Sequence, residues 1–113
     1  MHEIGLMQNV LDRVAEFAKA NDAQEVSAIH LRIGVLSGVV VESLEFAFEV
    51  LKKGTIAEKA RLMVESEPLV CYCKPCRKEF KPENFSSICP DCRGSDIEVR
   101  GGMEMNLISI EVP

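Results

Sequence analysis

The sequence has no tryptophan, one tyrosine and only two histidines, His2 and His30. Two imidazoles leave little general-base capacity, and no nucleophile–base constellation accompanies them. No Gly-x-x-x-x-Gly-Lys-Ser/Thr loop is present to cradle a phosphate. Long hydrophobic runs are missing too. The longest weakly polar stretch, "IGVLSGVVV" at residues 33–41, is too short to span a bilayer and is interrupted by two glycines and a serine. The start of the chain shows no basic region followed by an apolar run, so no secretion signal is expected. Positive charge is also in short supply. Thirteen Lys and Arg against 18 Asp and Glu leave a net charge of −5 and a pI near 5.0. That balance argues against general affinity for nucleic acid or anionic membrane. The expectation is a cytoplasmic protein whose five cysteines are thiols or metal ligands before they are disulfides.

What is present fits one small domain carrying a smaller module. Met7, Val10, Leu11, Val14, Phe17 and Ala18 recur at helical spacing, with Asp12, Arg13, Glu16 and Lys19 between them, and "AND" at 20–22 ends that helix. Ile29, Leu31, Ile33 and Val35 alternate with Ala28, His30 and Arg32, the pattern of a strand with one buried face. A second helix runs through "ESLEFAFEVLKKG", with Leu44, Ala47, Phe48 and Leu51 on one side and Gly54 as its stop. "TIAE" at 55–58 has capping-box spacing and predicts a short helical turn. "RLMVESEPLV" reads as a strand that leaves its sheet at Pro68, and "MEMNLISIEV" as a closing strand with Ile108, Ile110 and Val112 on one face. The predicted fold is α+β: two helices on a three-stranded sheet, with a zinc-ribbon-like four-cysteine domain inserted before the last strand. The expected boundaries are 1–70 plus 98–113 for the body and 71–97 for the insert.

All the cysteines fall in residues 71–94. "CKPC" (Cys73, Cys76) and "CPDC" (Cys89, Cys92) are separated by twelve residues. Each short loop presents two sulfurs, and the longer loop brings the pairs to one tetrahedral ion. Zinc is favoured, because it takes thiolates and four protein ligands close the site; iron can occupy the same sulfurs. Cys71 is left over. In "CYC" it competes with Cys73 for a ligand role, but Cys73 has the better spacing. Lys74, Arg77, Lys78, Lys81 and Arg93 outnumber Glu79, Glu83 and Asp91, a surplus that a zinc tetrathiolate would offset. With so few apolar residues, the module depends on its metal to fold.

A closed four-sulfur site is structural, so function is sought elsewhere. His30 reads as an exposed or half-buried strand residue rather than a ligand. In "MHE", Glu3 suits a helix N-terminus and His2 reads as an exposed residue. Alternatively, a free α-amine, the His2 imidazole and nearby backbone nitrogens can chelate Ni(II) or Cu(II) in a plane. The dipeptide alone favours the first reading.

Taken in order, "MHE", "IGVLSGVVVESLEFAFEVLKKGTIAEKARL", the two Cys-x-x-Cys pairs and "MEMNLISIEV" resemble the HypA/HybF family, nickel-delivery accessory proteins for NiFe hydrogenase assembly. The resemblance runs essentially end to end. It implies a nickel metallochaperone rather than an enzyme. Nickel would be held at Met1 and His2 with Glu3 assisting, and zinc by Cys73, Cys76, Cys89 and Cys92. It also implies three kinds of partner: a nickel-handling GTPase of hydrogenase maturation, the hydrogenase large subunit and, in some organisms, urease accessory proteins. Cys71 stands outside the family pattern, and "GGMEMN" follows it only loosely. Two other classes compete: a zinc-ribbon module binding nucleic acid or protein, and a thiol redox protein with one reactive cysteine pair.

Overall fold

The computed structural model describes residues 2–83 and 86–113. Helix α1 spans His2–Ala20, starting ahead of Met7, where the apolar periodicity begins. Met7, Val10, Leu11, Val14 and Ala18 form its buried stripe. Phe17, expected on that stripe, lies at its edge in the last turn and is 46% exposed. The helix stops in a left-handed turn. Ala23 N–H bonds the Ala18 carbonyl at 2.8 Å, Asp22 N–H bonds the Lys19 carbonyl at 3.2 Å, and Asp22 has φ 55°. Aspartate is one of the few residues that takes the conformation glycine usually supplies here.

Strand β1 (Ala28–Gly34) buries Ile29, Leu31 and Ile33 as the alternation predicts, whereas Val35 falls beyond the strand and is exposed. Helix α2 (Val41–Leu51) buries Leu44, Ala47 and Phe48 and packs on α1. After Gly54, at φ 77°, Thr55 and Glu58 build the predicted turn with the capping bonds displaced by one residue. Thr55 Oγ1 accepts the Ala57 N–H, and the Glu58 carboxylate accepts that of Gly54. Strand β2 (Arg61–Glu67) ends at Pro68 as expected.

Strands β3 (Val70–Cys73), β4 (Lys78–Phe80) and β5 (Ile97–Gly101) follow, and β6 (Met105–Glu111) closes the chain. One sheet has the order β2-β1-β6 and the other β4-β3-β5. Arg61 N–H reaches the Ser27 carbonyl at one end of β1, and Val35 N–H the Glu67 carbonyl at the other, so β1 and β2 are parallel and joined through α2. Bonds from Ser27 to Glu111 and from Gly34 to Glu104 make β6 antiparallel to β1. The predicted three-stranded sheet with two helices is thus present. On β6 the half-buried residues are Met105, Leu107 and Ile110; of the three residues that alternation places on one face, Ile108 is exposed, and so is Val112, which lies beyond the strand.

The chain divides into two compact units. Met1–Arg32, Val39–Glu65 and Asn106–Pro113 form the first, and Ile33–Gly38 with Ser66–Met105 the second. The first has its core between the helices and the sheet, where Val26, Ala57 and Ala60 join the residues already named. In the second, β3 pairs antiparallel with both neighbours, setting Cys71 opposite Phe80 and Val99. Arg100 stacks its guanidinium 3.7 Å from the Tyr72 ring centroid. Where segment 33–38 meets the chain around residue 102, backbones touch. A Cβ on Gly34 would lie 2.3 Å from the Gly102 carbonyl, and one on Gly102, at φ 92°, would lie 2.7 Å from Leu69 Cα. Gly102 N–H is bound by Glu67 Oε1 at 2.8 Å.

Gly34→Ala is therefore expected to destabilise the chain by about 2 kcal/mol or more, because only backbone can yield. Gly38, also at positive φ but with nothing near its Cβ position, is the comparison. Gly38→Ala is expected to cost only about 1–2 kcal/mol of conformational strain. Urea unfolding of both variants measures the difference.

Candidate metal centres

The two Cys-x-x-Cys loops fold alike. Cys73 ends β3, and Arg77 N–H bonds back to the Cys73 carbonyl at 2.8 Å with Arg77 at φ 56°. Arg93 N–H bonds back to the Cys89 carbonyl at 2.9 Å with Arg93 at φ 60°. Each loop is thus one tight turn with an arginine in the left-handed region just after its second cysteine. The turns aim their sulfurs at a common point. Cys73 Sγ is 3.6 Å from Cys92 Sγ, Cys76 Sγ is 3.9 Å from Cys89 Sγ, and all four lie within 4.8 Å of one another. A zinc ion with bonds of about 2.3 Å in a tetrahedron separates its sulfurs by about 3.8 Å, so the residues present fit the ion.

Backbone dipoles favour thiolates here. The Cys76 N–H points at Cys73, the Cys92 and Asp91 N–H groups at Cys89, and Gly94 N–H lies 3.4 Å from Cys92 Sγ. The Cys92 N–H above all brings the Cys89 thiol down to about 7. Hydrogen bonding with Cys73, and then with Cys92, pushes Cys76 up to about 12. Four negative sulfurs this close need a cation among them, which is what a dication supplies. Cys73 and Cys89 are buried, while Cys92 is exposed. Around the cluster Lys78 pairs with Asp91 and Lys74 approaches Asp96, a solvated ring of ion pairs rather than a basic patch.

Cys71 is buried on β3 and does not join the four, and its thiol is pushed up by burial. His30 is half-buried with Nε2 2.9 Å from Glu111 Oε2, the strand residue the alternation predicts. Among the described residues it belongs to no cluster of three metal-ligating side chains.

At the other end of the chain, Met1 lies outside the described residues. His2 opens α1 with its side chain 68% exposed, whereas Glu3 beside it is 4% exposed. Glu3 Oε2 accepts the Val40 N–H at 3.2 Å and lies 3.6 Å from His2 Nε2. Val40 is the N-cap of α2 and offers no side-chain oxygen, and its own N–H is taken by a carboxylate from α1, the bond that the Glu of a capping box would otherwise make from within the helix. The Val40 N–H is the main reason the Glu3 carboxyl is held below its ordinary value, with His2 a smaller contribution, and burial opposes both.

The model of the family described as "Hydrogenase/urease nickel incorporation, metallochaperone, hypA" matches residues 1–112. The chain belongs to the HypA family. The hydrogenase maturation factor HypA of Aquifex aeolicus (strain VF5) is 39% identical over 112 residues, 99% of this chain and 97% of that protein. That of Picosynechococcus is 38% identical, covering 99% of each chain. Among solved structures, the Ni metallochaperone HypA from Helicobacter pylori superposes with a TM-score of 0.74 at 26% identity, over 97% of this chain and 96% of that one. A second HypA solution structure reaches 0.80 at 27% identity, over 100% and 97%. The family is one of metallochaperones, not enzymes.

For this HypA-family chain, sequence reasoning found the four sulfurs but missed the Glu3–Val40 bond. Its one local signal was a helix start without a capping residue, "GVVVES", where valine stands before α2. Two outcomes follow from these geometries. Glu3→Gln is expected to speed hydrogen exchange at the Val40 amide relative to amides inside α2, read by NMR. Removing zinc with a chelator is expected to abolish the order of β3–β4–β5 while the helical circular dichroism of α1 and α2 persists, and acid shifts the chelation midpoint toward release because protons compete for the thiolates.

Proposed function

We propose that this chain takes up Ni(II) at its first helical turn and delivers it during hydrogenase maturation, with a structural zinc ion held by Cys73, Cys76, Cys89 and Cys92. The His2 imidazole, the α-amine of Met1 and the adjoining backbone nitrogens are the nickel ligands in this reading, and Glu3 assists by fixing the turn. The observation that carries it is the contrast between neighbours: His2 projects into solvent from a helix whose next residue is buried and hydrogen-bonded to another helix. An exposed chelate on a pinned scaffold can be approached by a second protein and surrender its ligands one at a time. Nickel is cargo here, so lability serves the function, whereas the zinc site is closed by four protein sulfurs.

A nickel-handling GTPase of hydrogenase maturation and the hydrogenase large subunit are the partners proposed on this reading, with urease accessory proteins in organisms that have urease. A cytoplasmic location belongs to the same proposal; among the described residues no helix is long and apolar enough to cross a membrane. The net charge of −5 continues to disfavour nucleic acid as a partner.

The deciding measurement is metal titration with zinc and nickel counted separately. One residue added before Met1, and separately His2→Ala, should each lower nickel affinity by at least about tenfold, the equivalent of one lost ligand interaction. Zinc content should stay unchanged. Nickel affinity should also weaken as pH falls, since protons compete for the amine and imidazole. Nickel binding that survives both the extension and His2→Ala would sink the assignment.

A further inference from the structure

Helix α2 has a second face. Leu44, Ala47 and Phe48 turn inward, while Glu42, Glu45, Phe46, Glu49 and Val50 are exposed or half-buried. Phe46 is 69% and Val50 52% exposed, four residues apart and therefore adjacent on the helix surface. A phenylalanine this open contributes little to the core of its own chain and marks a contact surface. We infer that this face docks a basic segment with apolar anchors, belonging to the protein that exchanges nickel with the neighbouring first turn. The exchange rests on the nickel reading above; the docking surface does not.

Charge selects the occupant. Among the described residues Glu42 and Glu45 make no ion pair, and Glu49 is met only by Lys52 at the helix C-cap, at 3.0 Å. Three carboxylates flank two apolar side chains, so the matching surface carries lysine or arginine around its own apolar anchors. A second copy presenting the same face would set carboxylates against carboxylates and is disfavoured.

Position selects the role. The N-cap of α2, Val40, is bonded to Glu3 at 3.2 Å, and Glu3 adjoins His2. Phe46 lies six residues further on, about 9 Å along the helix axis. A partner seated on Phe46 would thus rest on the same helix whose N-cap Glu3 holds.

The test uses the full chain with zinc bound and a short helical peptide of leucine and lysine as probe, with a leucine–glutamate peptide as control. The basic peptide should shift amide resonances along Val41–Leu51 and bind more weakly as salt rises, and the acidic one should not bind. Phe46→Ser, and separately Glu42→Lys with Glu45→Lys, should each weaken binding by about tenfold or more. Zinc content and helicity should match the wild type. Val50→Ser provides a second, milder truncation of the same surface. His2→Ala should leave peptide affinity unchanged, so loss of nickel binding and loss of docking are separate results. Equal binding to wild type and Phe46→Ser, shifts centred on other elements, or self-association abolished by Phe46→Ser would each overturn the inference.

Discussion

The carboxylate of Glu3 accepts the amide at the start of α2, and that bond ties the first turn of α1 to a second helix. The first residues of a chain ordinarily fray, and a ligand on a frayed end samples many geometries. Here α2 begins at a valine that cannot cap it, and the unmet donor is satisfied from the first turn of α1. Two deficiencies answer each other: an uncapped helix and a buried acid. His2 inherits a fixed base without being buried itself.

The second unit rests on different physics. β4 has three residues and β3 four, and both Cys-x-x-Cys turns end on an arginine in a conformation that favours glycine. Little apolar surface compensates for that, since Ile33, Leu69, Cys71, Cys73 and Cys89 are its principal buried side chains. Sulfur–metal bonding is the compensating term, and the N–H groups directed at Cys73, Cys89 and Cys92 prepare the sulfurs for it. One unit is thus held by burial and the other by coordination.

What was legible in the sequence follows this division. The clustering of four cysteine sulfurs was readable because their relation is local, two loops of fixed spacing, and the strand bearing Ile29, Leu31 and Ile33 because alternation is local too. The expectation of nickel at Met1 and His2 came from the resemblance, not from composition. The bond from Glu3 to Val40 was hidden, because it joins residues 37 positions apart and leaves no periodic trace. The start of α1 at His2 agrees with the reading of Glu3 as a charge at a helix N-terminus, although the apolar rhythm begins only at Met7. On β6 alternation groups Ile108, Ile110 and Val112, yet only Ile110 is half-buried, because exposure depends on what covers each position and not on the alternation itself.

The sheet of the first unit also sets an order of events during synthesis. Its strand β1 is complete at Gly34, yet β1 waits for β6, and Ser27 must find Glu111 across 84 residues. Everything that binds zinc is made in between. On a ribosome emitting the chain from its N-terminus, the cysteine loops are made before β6, while the first sheet still has an open edge. Vectorial synthesis therefore completes the cysteine loops before the first unit receives its third strand.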